Sequence, residues 1–374
     1  MYFEEAEAKE LLRQAGIPVP PGEVCRDAEA VAAVVGRLGR CAVKAQVPAG
    51  KRGKAGGIRL VDNAEQARAA AEAILGMEIA GYRVGRVLVE QCASIAQELY
   101  AAVLTDVESR APVVLFSTAG GMDIEEIATE RPQSIVRVPA DIARGVERAR
   151  VRSALQAAAL DEDLDAVTDV LVRLYELYAR TDAELAEINP LARLHGGGLL
   201  ALDCKLTLDD AALFRQTELA GRGAREKLTE LERRGRELGL KYIELPGNVG
   251  VLANGAGLTM TTMDVIEHCG GAPANFLEIG GDAYTKAEGA LGLVLANPRV
   301  KSVIVNFCGA FARTDVMAQG VVQAWETLKP RLPVFFSVHG TGEEEAVELI
   351  RQRLKMEPYD RMEDAVRAAV EAAK

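Results

Sequence analysis

The stretch that decides the fold runs from residue 249 to residue 268, VGVLANGAGLTMTTMDVIEH. Residues 249–253 are all apolar or small and read as a buried strand; 254–257, Asn-Gly-Ala-Gly, read as a turn, and 258–268 as a helix. The same order recurs downstream: strand 275–279 with helix 285–296, strand 300–306 with helix 315–327, and strand 333–338 with helix 343–354. Strand–loop–helix repeated in this way predicts a parallel, doubly wound sheet. Ligands of such sheets bind beyond the carboxyl ends of the strands. Here every one of those ends is built of small residues: Asn254-Gly-Ala-Gly257, Gly280-Gly281-Asp282, Gly309-Ala310 and His339-Gly-Thr-Gly342. Glycine lets backbone N–H groups approach an anion, and the helix start behind it adds partial positive charge. One such loop is as well explained by a tight turn. Four together point to a phosphate or a carboxylate.

Upstream, residues 217–238 are highly charged and show no clear apolar face, which reads as a connecting helix or linker. The domain boundary is therefore expected near 240, dividing the chain into 1–240 and 241–374. The first half mixes short strands and helices. An amphipathic helix at 4–15 is stopped by Gly16 and Pro18, and a helix at 27–38 precedes a strand at 41–46. A basic, glycine-rich loop at 48–57 leads to a strand at 58–61 and a helix at 64–76 capped by Asn63. Strands at 86–91, 97–105 and 112–117, helices within 145–180, and a hairpin of 184–188 with 199–202 complete it.

Two clusters in this half carry chemistry. Lys44 lies on a strand just before a loop holding Lys51, Arg52 and Lys54, an arrangement suited either to nucleotide phosphates or to a solvated basic loop. Glu187, Asn189 and Asp203 fall on the two strands of the expected hairpin. Two carboxylates and a carboxamide are the hard oxygen donors that Mg²⁺ shares with water and substrate phosphates; the alternative is that Asn189-Pro190 simply turns the chain and Asp203 is a surface acid.

Composition narrows the function classes. With 44 Lys+Arg against 55 Asp+Glu the formal charge is −11, which argues against a nucleic-acid partner. Apolar runs are at most strand-sized, so no membrane span is expected. The acidic N-terminus lacks the basic start of a signal peptide. Six scattered cysteines without a CxxC read as reduced, mostly buried thiols of a cytoplasmic protein, Cys308 among them.

The runs VKAQVPAGKRGKAGG (43–57), VEQCASIAQELY (89–100), GGMDIEEIA (120–128), EINPL (187–191), LALDCKL (200–206) and ALFRQ (212–216) resemble the β subunit of the succinyl-CoA synthetase family of ADP-forming acid–CoA ligases. So do NGAGLTMTTMD (254–264), GGAPANFLEIGG (270–281) and NFCGAFARTD (306–315), in order along nearly the whole chain. The resemblance implies an N-terminal ATP-grasp domain and a C-terminal flavodoxin-like domain. It also implies a partner α subunit that binds CoA and carries a phosphorylated histidine, in an αβ dimer or an (αβ)2 assembly.

Carried over by position, Lys44, Lys51, Arg52 and Gly53 would contact the phosphates of ATP or GTP. Glu90, the backbone at Ala93, and Glu98 would hold purine and ribose; Asn189 and Asp203 would bind Mg²⁺, with Glu187 near the phosphorylated histidine. Asn254 and the loop Gly309, Ala310, Phe311 and Ala312 would face a small carboxylic acid. His339 stands beside that loop, as an acid ligand or a structural group. Departures from the family pattern fall at Lys51, Asp282, Ala310, Phe311 and Ser337. The methyl of Ala310 and the ring of Phe311 are expected to narrow the mouth of the acid site. Succinate is the default acid. The alternatives are a malate–CoA or citrate–CoA ligase subunit, or a non-catalytic subunit that keeps the fold.

Overall fold

The computed structural model describes all residues except 122, 123, 161, 225, 226, 281 and 282. Of the loop expected at 280–282, Gly281 and Asp282 lie outside the described residues. The chain separates into two compact units, Met1–Glu226 and Lys227–Lys374.

The first unit is built on two sheets. A four-stranded antiparallel sheet has the order Gly22–Cys25, Val87–Gln91, Cys41–Ala45, Ile58–Val61. Helices Ala28–Leu38 and Ala64–Ile74 cover it, and Asp27 and Asn63 cap them by accepting from Ala30 N–H and Gln66 N–H. Val31, Val35, Ala67, Ala71 and Ile74 on these helices pack against Cys41, Val43 and Val89 of the sheet. The second sheet runs Leu199–Ala201, Ala183–Leu194, Ile95–Asp106, Ala111–Ser117, Val136–Pro139, with Cys204–Leu208 also paired to Ala183–Leu194. Helix Leu164–Arg180 lays Val167, Val170, Leu171, Leu174 and Leu177 on this sheet, a three-and-four spacing that keeps one face apolar.

The hairpin expected around 195–198 is a more elaborate structure. Strand Ala183–Leu194 takes two partners in turn: Ile188 pairs with Cys204 and Glu187 with Lys205, whereas Leu191 pairs with Ala201. The ladder breaks between these stretches because Pro190 has no N–H to give it. Asn189 N–H reaches Asp203 C=O at 3.3 Å and Leu202 N–H reaches Pro190 C=O at 3.0 Å. The register against strand Ile95–Asp106 shifts at the same place, between Ile188 and Leu191. Such irregularities re-aim side chains, and the side chains at this one are Asn189 and Asp203.

The segment 217–238 is not one connecting helix. It contains helices Thr217–Ala220 and Glu230–Glu237. The second carries a capping box, Thr229 with Glu232, and buries Leu231 in the core of the second unit. One leucine and a glycine suffice as a core face here: a Cβ on Gly235 would lie 2.9 Å from Tyr242 Cβ.

The second unit is a five-stranded sheet of order Tyr242–Glu244, Asn275–Ile279, Val249–Asn254, Ser302–Gly309, Val334–Gly340. The last four are mutually parallel and the edge strand Tyr242–Glu244 is antiparallel. Helices Ala283–Ala296, Thr314–Leu328 and Glu343–Leu354 cover one face, where Leu252, Val303, Val305 and Phe307 point. The other face takes Val249, Val251 and Ile304 against Ile266 and Val366. Val366 belongs to helix Met362–Ala372, which the strand–loop–helix pattern does not include. The expected doubly wound domain is present, with helices on both faces.

Candidate functional site

In the first unit Lys44 is the penultimate residue of strand Cys41–Ala45, which is bonded on both sides, and its side chain enters a buried cluster of charge. Its ammonium lies 2.8 Å from Glu5 Oε1, 2.8 Å from Glu90 Oε2 and 2.6 Å from Leu202 C=O. A second ammonium, Lys9, makes the same set: Glu5 Oε1 at 2.7 Å, Glu90 Oε2 at 2.6 Å and Leu202 C=O at 2.7 Å. The loop 51–55 contributes one buried residue, Arg52. Its Nη2 sits 2.8 Å from Glu5 Oε2 and 2.9 Å from each oxygen of Asp203, and Nη1 donates to Ala45 C=O at 3.0 Å. Gly57 N–H donates to Arg52 C=O and fixes the far end of the loop.

Lys9, Lys44 and Arg52 thus face Glu5, Glu90 and Asp203, and the formal charges cancel. Glu5, Lys9 and Glu90 are 2–3% exposed, where an unpaired charge would be prohibitive. Burial alone would raise the Glu5 carboxyl, but Lys44, Lys9 and Arg52 outweigh it and hold it well below the usual carboxylate range. Burial would lower the Lys44 ammonium; Glu5, Glu90 and Asp203 outweigh that and lift it above the usual lysine range. Asp203 moves the other way. Burial and the facing Glu5 carboxylate raise it, with Arg52 and Lys44 pulling against them.

Around the strand irregularity, Asn189 Oδ1 accepts from Gly121 N–H at 2.8 Å and Tyr100 donates to Glu187 Oε2 at 3.2 Å. Gly120 and Gly121 lie flat on strand Ile95–Asp106: a Cβ on Gly120 would come within 2.2 Å of Leu99 C=O, and one on Gly121 within 1.9 Å of Glu98 Oε2. Glu98 therefore stands beside the Asn189 end of the cluster. Ala93 is in the turn between strands Val87–Gln91 and Ile95–Asp106, and Lys51 and Gly53 are exposed on their loop. Glu90, expected near purine and ribose, instead faces inward among the ammoniums.

Asp203 and Asn189 are joined through the backbone and carry the hard oxygens that suit a magnesium ion, but Arg52 holds both Asp203 oxygens and Gly121 N–H holds Asn189 Oδ1, so a metal would have to displace these partners. Among the described residues there is no cluster of three or more His, Cys, Asp or Glu that could hold a metal, so substrate oxygens would have to complete the shell.

In the second unit, strand order reverses between Val249–Asn254 and Ser302–Gly309, the place where open α/β sheets bind ligands. Asn254 bridges that crevice. Its Nδ2 donates to Cys308 C=O and its Oδ1 accepts from Cys308 N–H, both at 2.8 Å. Cys308, next to the carboxyl end of strand Ser302–Gly309, is exposed, contrary to the expected buried thiol. The loop after it is laced to its neighbour: Thr341 N–H donates to Gly309 C=O at 2.9 Å, and Thr341 Oγ1 to Ala310 C=O at 2.8 Å. Gly309 and Gly340 permit this, since a Cβ on either would fall 1.9 Å from a carbonyl oxygen. Phe311 is fully exposed at 105%, so within this unit its ring stands clear of the loop and does not narrow it. Ala312 packs partly into the core.

The loop 339–342 does not cradle an anion. Gly340 N–H is taken by Glu343 Oε2 at 2.8 Å, His339 Nδ1 lies 3.5 Å from Glu343 Oε1, and the helix opens on Glu343, Glu344 and Glu345. The helices Ala256–His268 and Thr314–Leu328 start without a side-chain cap. At the second of these, Thr314 N–H is taken by Thr341 C=O at 2.9 Å and Asp315 stands in the first turn, so of the two starts the one behind loop 254–257 is the more open to an anion.

Residues 2–193 match the model of the ATP-grasp domain, and residues 252–371 that of the CoA-ligase domain. The β subunit of succinate–CoA ligase [GDP-forming] from Thermus thermophilus is 43% identical over 94% of this chain and 93% of its own length. The [ADP-forming] β subunit from Rubrobacter xylanophilus is 42% identical over 100% and 99%. The chain belongs to the succinate–CoA ligase β-subunit family. ATP citrate lyase from Methanothrix soehngenii, solved with citrate and coenzyme A, is 23% identical with a TM-score of 0.76 over 99% of both chains; it shares the fold. The expected ATP-grasp and flavodoxin-like order is that of this family.

Sequence reasoning missed Glu5 and Lys9, to which the amphipathic helix read at 4–15 assigned no role. A signal was present. Glu5, Ala8, Lys9 and Leu12 follow the i, i+3, i+4, i+7 spacing, so the helical period puts both charges on the buried side.

Proposed function

We propose that this chain is the β subunit of an ADP-forming acid–thiol ligase of the succinate–CoA ligase type. It uses a purine nucleoside triphosphate to phosphorylate a histidine of an α partner, and the pair then forms an acyl-CoA from a carboxylic acid, succinate by default. The observation that supports this reading best is the convergence of Lys44, Arg52 and Asp203 on one spot, with Asn189 bonded to Asp203 through the backbone. A subunit that had kept only the fold would have no need to hold buried cations beside metal-type oxygen donors.

Lys44 and Arg52 bind and orient the phosphates, with Lys51 and Gly53 on the loop above them. Ala93 and Glu98 flank the purine and ribose. Asn189 and Asp203 hold Mg²⁺, which when bound neutralises the charge of the transferring phosphoryl group. Glu187, oriented by Tyr100, stands where the partner's histidine arrives. Asn254 keeps the crevice of the second unit at fixed width, and the N–H groups of 309–312 face the acid or the phosphohistidine. The protein's contribution is position and charge.

The test is nucleotide turnover by the chain co-purified with its α partner, with CoA and a panel of succinate, malate, citrate and short monocarboxylates. Turnover dependent on both CoA and succinate is expected. Phosphorylation of the partner's histidine without stimulation by succinate would move the acid assignment, and no phosphorylation at all would overturn the reading.

A further inference from the structure

Lys44 has no N–H to offer a nucleotide while it keeps its present bonds. An ammonium has three donors, and those of Lys44 face Glu5, Glu90 and Leu202 C=O at 2.6–2.8 Å. To reach a phosphate it must leave at least one of them, and an abandoned carboxylate at 1–4% side-chain exposure is among the most expensive defects a protein core can hold. The structure contains a remedy. Lys9 touches the same three acceptor atoms, at 2.6–2.7 Å, from the opposite element, the N-terminal helix.

We propose that Lys9 is a positioning residue for nucleotide binding: it stays behind as counter-ion to Glu5 and Glu90 and so makes Lys44 releasable to the phosphates. This rests on the phosphate-binding reading of Lys44 above. Lys9 itself touches no substrate. Its geometry explains why two buried ammoniums serve one set of acceptors, which fold stability alone does not require, since removing one cation together with one carboxylate leaves the remainder paired. It also explains why Glu90 faces inward: as a partner of the two lysines it belongs to the exchange and not to the purine.

The experiment measures Kd for MgATP and for adenosine by calorimetry on the full chain in complex with its α partner. Wild type, Lys9→Met, Glu90→Gln and Lys44→Met are compared, each at a temperature where melting shows it folded. With Lys9 absent, Lys44 is pinned by both carboxylates, so MgATP is expected to weaken by about tenfold or more while adenosine stays within about twofold. Glu90→Gln removes one acceptor that holds Lys44, and MgATP is expected to tighten by about threefold. That variant keeps the test open where Lys9→Met does not fold.

An unchanged MgATP Kd in Lys9→Met overturns the proposal, as does an equal loss for MgATP and adenosine, which would mark a structural role. Weaker MgATP binding in Glu90→Gln overturns it as well. The two readings separate on Lys44→Met: if that variant binds MgATP like wild type, the phosphate site itself is wrong and the proposal falls with it. If it loses MgATP while Lys9→Met does not, the role of Lys9 alone is refuted.

Discussion

The guanidinium of Arg52 lies 2.9 Å from both carboxylate oxygens of Asp203, so the residue proposed to bind the metal is held by a side-chain cation. Charge-assisted bonds of this kind are the stronger class. Metal and guanidinium cannot share both oxygens, which makes the two compete. Arg52→Gln is expected to tighten Mn²⁺ binding to the nucleotide-free protein by about fivefold, the scale of one modest ion pair. The same variant should weaken MgATP binding, and opposite signs in the two titrations are the check.

Asp203→Asn should abolish metal-dependent phosphorylation of the partner's histidine, lowering the rate by about 100-fold or more, as expected when a charged metal ligand is lost. Arg52 would keep Glu5 at 2.8 Å, so the variant is expected to remain folded. Radiolabel transfer from ATP to the partner, read beside a thermal melt, separates the two effects. Full transfer would refute the metal assignment.

Asn254→Ala removes both bonds to the backbone of Cys308 and leaves an N–H and a C=O at the crevice without their partner. A loss of about 1–3 kcal/mol in unfolding free energy is expected. Because the crevice then loses its fixed width, KM for the acid should rise more than kcat falls. An unchanged KM would restrict Asn254 to stability.

Gly340→Ala tests the interlaced loops. The backbone there has φ +102°, and a Cβ would meet Gly309 C=O at 1.9 Å. Loop 309–312 must then shift, with a destabilisation of about 2 kcal/mol or more and loss of acid-dependent turnover. Normal turnover would show that the lacing does not shape the acid site.

Stability should fall steeply in acid. Glu5 is depressed in the folded protein, so its contribution is complete above the ordinary carboxylate range, about pH 4.5, and is lost as pH falls through its lower folded value. Denaturant titrations from pH 7 to pH 3 should show wild type losing more stability below pH 4.5 than Glu5→Gln does. Parallel curves would contradict the role given to Glu5.

Much of this molecule is legible in its sequence because its strands are marked by apolar runs and its loops by glycine. The second unit follows strand by strand from 249 to 354, and Asn254 and Gly309 stand at the carboxyl ends where the pattern puts them. Other features depend on contacts distant in sequence. The pairing of strand Ala183–Leu194 with two partners turns on Pro190 interrupting a ladder whose other side is Leu202 and Asp203. Helix Met362–Ala372 shows the apolar period but follows no strand, so a strand–loop–helix count stops before it. Glu343 closes the loop at 339–342 only because its carboxylate folds back three residues to Gly340 N–H.

The carbonyl of Leu202, which accepts from both Lys9 and Lys44, ties together the N-terminal helix, the small sheet and the link between strands Leu199–Ala201 and Cys204–Leu208. Cations held this way are already stripped of water before any nucleotide arrives. On the proposed reading, nucleotide entry would be an ion exchange, in which phosphate and metal displace internal carboxylates and a guanidinium. Such an exchange releases few counter-ions to solvent, so affinity for MgATP should vary only weakly with salt even though every partner in it is charged.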